Sequence, residues 1–215
     1  MAIYFFPGCK YSKYNPKSSD ILKSYLLEKY DISIAGCCSL DYKKLNSQDC
    51  AIFVCPTCAA ILEESAPKSK IISIYEFLLE DESFPWSNFQ MEKMTIQDCW
   101  RTFDHRTMQE AIRSIIKKLH IEAIEIANNY EKADFCGVTL LKEPSPRYQY
   151  LAPNRLVKNA IFSPSSEEKQ KQAMMKQALN YKTEKILCYC TGCMEGIEIS
   201  DHVPIHLLDL ITNGL

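Results

Sequence analysis

The chain has 215 residues and a formal net charge of −2, which gives no support to a nucleic-acid-binding function. Hydrophobic residues make up 47% and charged residues 24%, the balance of an ordinary globular protein rather than a disordered one. A chain of this length buries enough apolar surface to fold without disulfide bonds, so its eleven cysteines need another explanation.

Strands and helices are predicted to alternate along the chain in two rounds. The first round has strands at 2–6, 31–35, 50–54 and 70–74, with helices from about residue 18, from Pro56 and from Tyr75. The segment 81–93 is rich in turn formers and is interpreted as the connection between two halves. The second round has strands at 94–98, 122–127, 185–189 and 203–205, with helices over 105–119 and 165–180, and from Thr191 and His206.

Local signals refine two of these elements. The apolar run 50–54 is typical of a strand that is buried on both faces. Ser165 and Glu168 have the spacing of a capping box at the start of a helix. The alternation as a whole predicts an α/β fold of two pseudo-symmetric halves with mostly parallel sheets, and ligand sites at the carboxyl ends of the strands. The predicted halves are residues 1–85 and 86–215, which can pack as one globular unit.

The odd number of cysteines argues against a disulfide framework. The apolar segment 1–7 is too short for the hydrophobic region of a secretion signal, and no apolar run reaches the length of a membrane span. In a reducing compartment, C-x-x-C pairs serve metal binding or redox chemistry more often than disulfide formation. We therefore expect a cytoplasmic protein without a direct membrane span, compatible with a peripheral place in a membrane complex.

Nine of the cysteines form two similar sets, each with a lone cysteine, a middle cysteine and a C-x-x-C pair. The first set is Cys9, Cys37, Cys38, Cys55 and Cys58, and the second set is Cys99, Cys136, Cys190 and Cys193. Five thiolates exceed the four ligands of a zinc ion, so the first set has a spare ligand or holds more than one metal ion. Four thiolates, with Phe135 where a doubled cysteine would stand, suit zinc or an ordinary iron–sulfur cluster equally.

Three cysteine segments resemble the cysteine-rich, or CCG, domain: Tyr4-Phe-Phe-Pro-Gly-Cys9, Cys37-Cys38 and Cys55-Pro-Thr-Cys58. Two tandem copies, closing with Pro204-Ile-His-Leu-Leu-Asp-Leu-Ile, resemble the heterodisulfide reductase B family over nearly the whole chain. The resemblance implies an anaerobic iron–sulfur oxidoreductase, one component of a complex, in which the first set carries the catalytic centre, a non-cubane [4Fe-4S] cluster. It implies a second iron–sulfur cluster or zinc at the second set.

The same resemblance implies a small thiol or disulfide as substrate and an electron-donating iron–sulfur or flavin subunit as partner. The sequence departs from the family pattern in several places. Only 16 residues separate Cys38 from Cys55, Ser39 replaces the glycine of the CCG triplet, and 53 residues separate Cys136 from Cys190. A zinc-stabilised binding or scaffold module without redox activity is the alternative function.

Several other residues have two interpretations each. Cys50 and Cys188 are interpreted as small core residues, although strand alternation also allows Cys188 to compete with Cys190 as a ligand. His206 is a structural residue or a proton donor to a leaving thiolate. Arg101 covers the surface or pairs with a substrate carboxylate. The long connection 142–162 is predicted to cover the second site or to bind a partner.

Overall fold

The structure is a computed structural model that describes residues 1–215. Contacts within the chain group it into two compact units. Unit 1 comprises Met1–Phe84, Pro144–Ala160 and Leu215, and unit 2 comprises Pro85–Glu143 and Ile161–Gly214. The segment Pro144–Ala160 therefore packs within unit 1, although its neighbours in sequence on both sides belong to unit 2.

Unit 1 contains four strands and six α-helices. The strands are β1 (Ile3–Phe6), β2 (Ile32–Ile34), β3 (Cys50–Phe53) and β4 (Lys70–Ser73). The helices are α1 (Cys9–Tyr14), α2 (Pro16–Lys29), α3 (Cys38–Asp41), α4 (Pro56–Ser65), α5 (Ile74–Leu79) and, further along the chain, α7 (Tyr148–Leu151). All strands are parallel in the order β2-β1-β3-β4, and every residue of β3 is buried, as predicted.

Unit 2 repeats this arrangement. Its strands are β5 (Glu92–Ile96), β6 (Ile121–Ile124), β7 (Lys185–Cys188) and β8 (Val203–His206). Its helices are α6 (Arg106–Lys118), α8 (Glu167–Ala178), α9 (Thr191–Ile199) and α10 (Leu207–Thr212). The sheet is again all parallel, in the order β6-β5-β7-β8. The predicted α/β fold of two pseudo-symmetric halves is confirmed.

The two long helices of unit 2 differ in how many of their residues are buried against the core. Helix α6 buries one apolar face, which includes Met108, Ile112 and Ile115, because these residues recur at helical spacing. Helix α8 buries only Met174 and leaves its charged residues in solvent. None of the helices has the length and apolar character needed to cross a membrane.

The starts of two helices differ from the sequence prediction. Helix α2 begins at Pro16 rather than near residue 18, because the side chain of Asn15 accepts a hydrogen bond from the backbone of Ser18 and proline suits the first turn. The capping box predicted at Ser165 does not form. Helix α8 instead begins after Ser166, whose side chain makes no capping hydrogen bond.

Candidate metal centres

Both cysteine sets lie at the switch point of a parallel sheet. In unit 1 the central strands β1 and β3 are neighbours, and the chain leaves them toward opposite edges of the sheet. Such a switch point opens a crevice at the carboxyl ends of the strands, where α/β proteins bind ligands. Cys9 and Cys55 follow β1 and β3, and Cys99 and Cys190 follow the corresponding strands β5 and β7 of unit 2.

The second set forms a compact, closed cluster. The sulfur atoms of Cys99, Cys136, Cys190 and Cys193 all lie within 4.8 Å of one another, and all four residues are buried. The Sγ atom of Cys136 is 3.6 Å from that of Cys99 and 3.8 Å from that of Cys190. Four sulfurs about 2.3 Å from one tetrahedral ion stand about 3.8 Å apart. The spacing therefore fits a single metal ion.

A four-iron cluster fits this arrangement poorly. In such a cluster each thiolate binds a different iron atom, so its sulfur ligands stand farther apart than ligands that share one ion. The second set has no fifth cysteine because Phe135 precedes Cys136, and the Phe135 ring packs close to Gly196 of α9. The carbonyl oxygen of Phe135 accepts hydrogen bonds from the backbone of Trp100 and from the thiol of Cys193.

Cys136 is the cysteine of the cluster whose thiolate form is most strongly favoured. Hydrogen bonds from the thiols of Cys190, Cys193 and Cys99 hold its pKa well below the ordinary value, and the charge of Arg101 adds to this effect. Arg101 is 4% exposed and donates from Nη1 to the Cys136 sulfur at 2.5 Å. Arg101 therefore neither covers the surface nor faces solvent where a substrate carboxylate could reach it.

Close backbone packing positions Cys136 against helix α9, which starts directly after Cys190. Gly137 has φ +56°, and a Cβ atom there would overlap the carbonyl oxygen of Gly192 in the first turn of α9. Only glycine combines this backbone conformation with so close an approach. The Gly137 position thus brings the middle cysteine of the set within reach of the C-x-x-C pair.

A network of buried polar groups holds the backbone of Cys99 in position. The backbone amide of Cys99 donates to the Tyr189 hydroxyl, which donates in turn to Asp98 at 2.9 Å. Asp98 also accepts two hydrogen bonds from the guanidinium of Arg113, at 2.7 and 2.8 Å. Such outer partners fix the orientation of metal ligands. Asp98 and Tyr189 were missed by sequence reasoning, although each directly precedes a cysteine of the set.

The first set is gathered less tightly and is more accessible. Cys38 and Cys58 are buried, Cys37 and Cys55 are half-buried, and Cys9 is exposed. The thiol of Cys58 hydrogen-bonds to the sulfur of Cys38, which lowers the pKa of Cys38 and raises that of Cys58 well above its ordinary value. Burial raises the pKa of Cys9, and the charges of Cys37, Cys55 and Cys38 act in the same direction. The five cysteines therefore influence one another, with one side open to solvent.

Most of the connection 142–162 belongs to unit 1. Its segment Pro144–Ala160 packs on helix α4 of unit 1, and the positive charge of Arg147 acts on Cys37 and Cys38. The end of the connection belongs to unit 2, where the ring of Phe162 packs on Trp100, the residue after Cys99 of the second set. The contacts of Pro144–Ala160 with α4 are ones that no local sequence pattern indicates, and partner binding by this connection stays a prediction.

Three other candidate residues, two cysteines and one histidine, lie in the core. Cys50 and Cys188 are buried within β3 and β7, and Cys188 is not part of the four-sulfur cluster. His206 is buried, and its Nδ1 atom accepts a hydrogen bond from the Leu208 backbone at the start of α10. Burial lowers the pKa of His206 to about 4. His206 is therefore a neutral histidine that caps helix α10, in agreement with its interpretation as a structural residue.

Comparison with known proteins gives little further information. No family model matches the sequence, and no curated protein matches it. Among solved structures, an aspartate racemase homologue from Pyrococcus horikoshii OT3 is similar with a TM-score of 0.36 and 9% identity, covering 99% of this chain and 96% of that chain. A glutamate racemase from Bacillus anthracis is similar with a TM-score of 0.33 and 10% identity, covering 99% and 79%. Similarity at this level carries no argument about function.

Proposed function

We propose that the chain is an iron–sulfur oxidoreductase of the heterodisulfide reductase B type, one component of a complex, with two unlike metal centres. The first set, Cys9, Cys37, Cys38, Cys55 and Cys58, holds the reactive iron–sulfur centre. The second set holds a single metal ion, zinc or iron, that stabilises unit 2. The substrate is a small thiol or disulfide.

The contrast in accessibility between the two cysteine sets carries this proposal. Structural metal sites are closed, with all coordination positions taken by protein ligands, whereas reactive sites keep a side open to substrate. The four cysteines of the second set are buried and spaced for one tetrahedral ion. The first set has five cysteines, and Cys9 is exposed. Five thiolates on an open edge suit a centre larger than one ion.

Four residues of the first set have roles that follow from their positions. Cys38 and Cys58 are the buried ligands, on the first turns of α3 and α4, where backbone amides stabilise thiolates. Cys9 and Cys37 lie on the accessible side, where a substrate sulfur can approach. When bound, an iron–sulfur centre supplies electron transfer and a binding position for sulfur. The electron donor is a partner iron–sulfur or flavin subunit, since the chain has no recognisable nucleotide-binding motif.

Metal analysis of anaerobically purified protein, with absorption and paramagnetic-resonance spectra, tests this proposal. We expect about four irons from the first centre and one further metal ion from the second. Cys38→Ala should lose the cluster and keep the single ion, whereas Cys136→Ala should lose the single ion and keep the cluster. Cys188→Ala is the matched control, because Cys188 is buried beside the second set without belonging to it.

Absence of iron after anaerobic reconstitution of a folded protein would contradict the proposal. The second candidate function, a zinc-stabilised binding or scaffold module, would then be favoured. The observation in its support is the closed four-sulfur geometry of unit 2, which suits zinc without any redox role. Zinc at both sets, with unchanged metal content in Cys38→Ala, would be its signature.

A further inference from the structure

The buried carboxylate of Asp98 is a point where three segments of unit 2 meet. Asp98 directly precedes Cys99, and neither residue is exposed to solvent. Its Oδ1 atom accepts a hydrogen bond from the hydroxyl of Tyr189 at 2.9 Å, and its Oδ2 atom accepts one from the backbone amide of Tyr130 at 2.8 Å. Tyr189 directly precedes Cys190, and Tyr130 lies in the loop between β6 and the middle cysteine of the second set. One carboxylate therefore joins the segments that carry three of the four cysteines.

Further hydrogen bonds fix the same segments to one another. The backbone amide of Asp98 donates to the side-chain oxygen of Asn129 at 3.0 Å, and the side chain of Asn129 donates in turn to the carbonyl of Ile96 in β5. The backbone amide of Trp100 donates to the carbonyl of Phe135 at 2.8 Å. The loop that leads to the middle cysteine is therefore held on both sides of the lone cysteine.

The guanidinium of Arg113 completes this arrangement. It donates two hydrogen bonds to the Asp98 carboxylate, at 2.7 and 2.8 Å, and it lies 4.2 Å from the centre of the Tyr130 ring. Arg113 also pairs with Glu125 at 2.9 Å. The backbone of Tyr130 has φ +58°, a left-handed conformation that residues other than glycine adopt only where their surroundings hold them in it. The contacts with Asp98 and Arg113 therefore determine the course of this loop.

Ligands fixed in this way resist a change of coordination geometry. In a tetrahedron all ligand atoms are equally far from one another, whereas in a square plane opposite ligands stand farther apart than neighbouring ones. Among the sulfurs of Cys99, Cys136 and Cys190, one pair would have to separate and the other pairs close up for the set to flatten. Zn²⁺ has no geometric preference from its d electrons, whereas Ni²⁺ favours a square plane. The contacts at Asp98 oppose the movement that Ni²⁺ requires.

We propose that Asp98 is a specificity-determining residue that makes the second centre select Zn²⁺ over Ni²⁺ without touching the metal ion. The inference rests on the proposed function in one respect, since it takes the second set to hold a single ion. Asp98 is a positioning residue: it acts through the backbone of Cys99, through Tyr189 beside Cys190, and through the loop before Cys136. Selectivity then comes from the rigidity of the ligands, because all four ligands are thiolates and do not themselves distinguish the two ions by type.

Metal titration of the full-length chain, with Zn²⁺ and Ni²⁺ alone as the probes, tests this inference. In every protein compared, the three more accessible cysteines of the first set are replaced by serine, so that this set cannot complete a four-thiolate site; they are Cys9, Cys37 and Cys55. The chain is reduced and freed of metal, and competition against a chromophoric chelator gives the affinity for each ion. The ratio of the two affinities is the measured quantity, because a variant that only loses stability lowers both affinities alike.

Asp98→Asn should lower the ratio of Zn²⁺ to Ni²⁺ affinity about tenfold, the level at which outer partners of metal ligands contribute. It keeps the size of the side chain and leaves Arg113 paired with Glu125, but one amide oxygen cannot replace both carboxylate oxygens. Tyr189→Phe removes one of the three links and should change the ratio in the same direction. Ile112→Val, in the apolar face that α6 buries, is the control for lost stability and should leave the ratio unchanged.

Bound Ni²⁺ supplies a second measurement, since tetrahedral Ni²⁺ is paramagnetic and square-planar Ni²⁺ is diamagnetic. Proton NMR should show strongly shifted cysteine signals for Ni²⁺ in the chain with Asp98 intact, and these signals should be lost in Asp98→Asn. A ratio and a Ni²⁺ spectrum that both Asp98→Asn and Tyr189→Phe leave unchanged would overturn the inference, while the single-ion centre would stand. A second set that binds neither ion with Asp98 intact would overturn the single-ion centre and the inference together.

Discussion

In each set, one of the cysteines with a lowered pKa lies in the electrostatic field of an arginine. Cys38 receives a hydrogen bond from Cys58 and lies in the field of Arg147, and Cys136 receives hydrogen bonds from its set and from Arg101. The two cysteines are the corresponding middle positions of the two sets. Several thiolates around one metal leave a net negative charge, which is costly to bury without a compensating cation. We infer that the arginines fill this role in both units.

At the second centre, this role of Arg101 can be tested by substitution. We expect Arg101→Gln to weaken zinc binding about tenfold, because outer partners of metal ligands contribute at about this level. Competition against a chromophoric chelator measures the affinity. Arg101→Lys should recover part of the loss through its charge, while Arg106→Gln, on the exposed face of α6, should have no effect. Equal zinc affinity in Arg101→Gln and the unmodified chain would be inconsistent with the role.

At the scale of elements, helix α9 and the turn at Cys136 are joined through glycines. A Cβ atom at Gly137 would overlap the carbonyl oxygen of Gly192, and a Cβ atom at Gly196 would overlap the Cα atom of Gly137. This contact determines how far Cys136 stands from Cys190 and Cys193. The arrangement of the second centre therefore depends on packing between elements as much as on the cysteines themselves.

Gly137→Ala should lower the free energy of unfolding by about 3 kcal/mol, from the left-handed backbone conformation and from overlap with α9. It should also reduce the metal content of the second centre, which measurement of zinc together with urea unfolding would detect. Gly36→Ala is a suitable control. A Cβ atom at Gly36 would be 3.1 Å from Asp41 Oδ2, at the end of a side chain that can move, and φ is not positive there. A Gly137→Ala variant as stable as the Gly36→Ala variant would contradict the expectation.

Helix α2 is tied to the turn after α5 through the buried carboxylate of Asp81. Lys29, Tyr25 and Tyr30 all donate hydrogen bonds to it. Although burial opposes ionisation, these hydrogen bonds, with that of Lys29 the strongest, hold the pKa of Asp81 below its usual range. The contacts join residues about fifty positions apart in sequence, so they stabilise the tertiary arrangement of unit 1 rather than one helix.

Asp81→Asn should destabilise the chain by about 1–2 kcal/mol at neutral pH, a moderate loss because Lys29 is partly exposed. Since the folded-state pKa of Asp81 is depressed, its stabilisation is fully present above the ordinary aspartate pKa of about 4 and is lost as the pH falls below it. The difference between Asp81→Asn and the unmodified chain should therefore shrink on acidification, as urea unfolding at several pH values would record. Asp20→Asn, which removes an exposed ion pair of α2, should have little effect at any pH. A difference independent of pH would argue against this role of the carboxylate.

At the scale of the whole molecule, both units have the same strand order and place cysteines after the same two strands. They differ mainly in the connection that leads to the third strand. In unit 1 this connection is short, whereas in unit 2 the connection between β6 and β7 includes α7, the rest of the segment Pro144–Ala160 and α8. The long separation of Cys136 from Cys190 is therefore due to inserted chain, of which Pro144–Ala160 packs in unit 1 and α8 in unit 2.

Replacement of the segment Pro144–Ala160 by a short Gly-Ser linker should leave the second centre intact. The backbones of Leu140 and Ser163 already pair through a 2.8 Å hydrogen bond, so the linker has only a short gap to span. We expect unchanged metal at the second set and lower stability of unit 1, because the contacts to α4 are lost. Metal analysis and urea unfolding measure these outcomes. Loss of the second-centre metal would show that the segment serves unit 2 instead.

The α/β class, the two rounds of strands and the burial of β3 follow from local patterns. Hydrophobic periodicity reports which residues must leave water, and that requirement is largely independent of distant contacts. The start of α2 at Pro16 depends on a single hydrogen bond to the side chain of Asn15, whereas α1 and α8 begin without a side-chain cap. Local patterns predict such details less well.

The cysteine spacing by itself determined which residues of unit 2 would meet, because parallel strands bring their carboxyl ends to one edge of the sheet. Only the tertiary structure decided that four sulfurs come within 4.8 Å of one another, that Arg101 is buried against Cys136, and that the segment Pro144–Ala160 packs on α4 of unit 1. These features depend on contacts between residues far apart in sequence and on the space left by glycines. Their energies come from packing between distant segments, so the sequence of any single segment does not predict them.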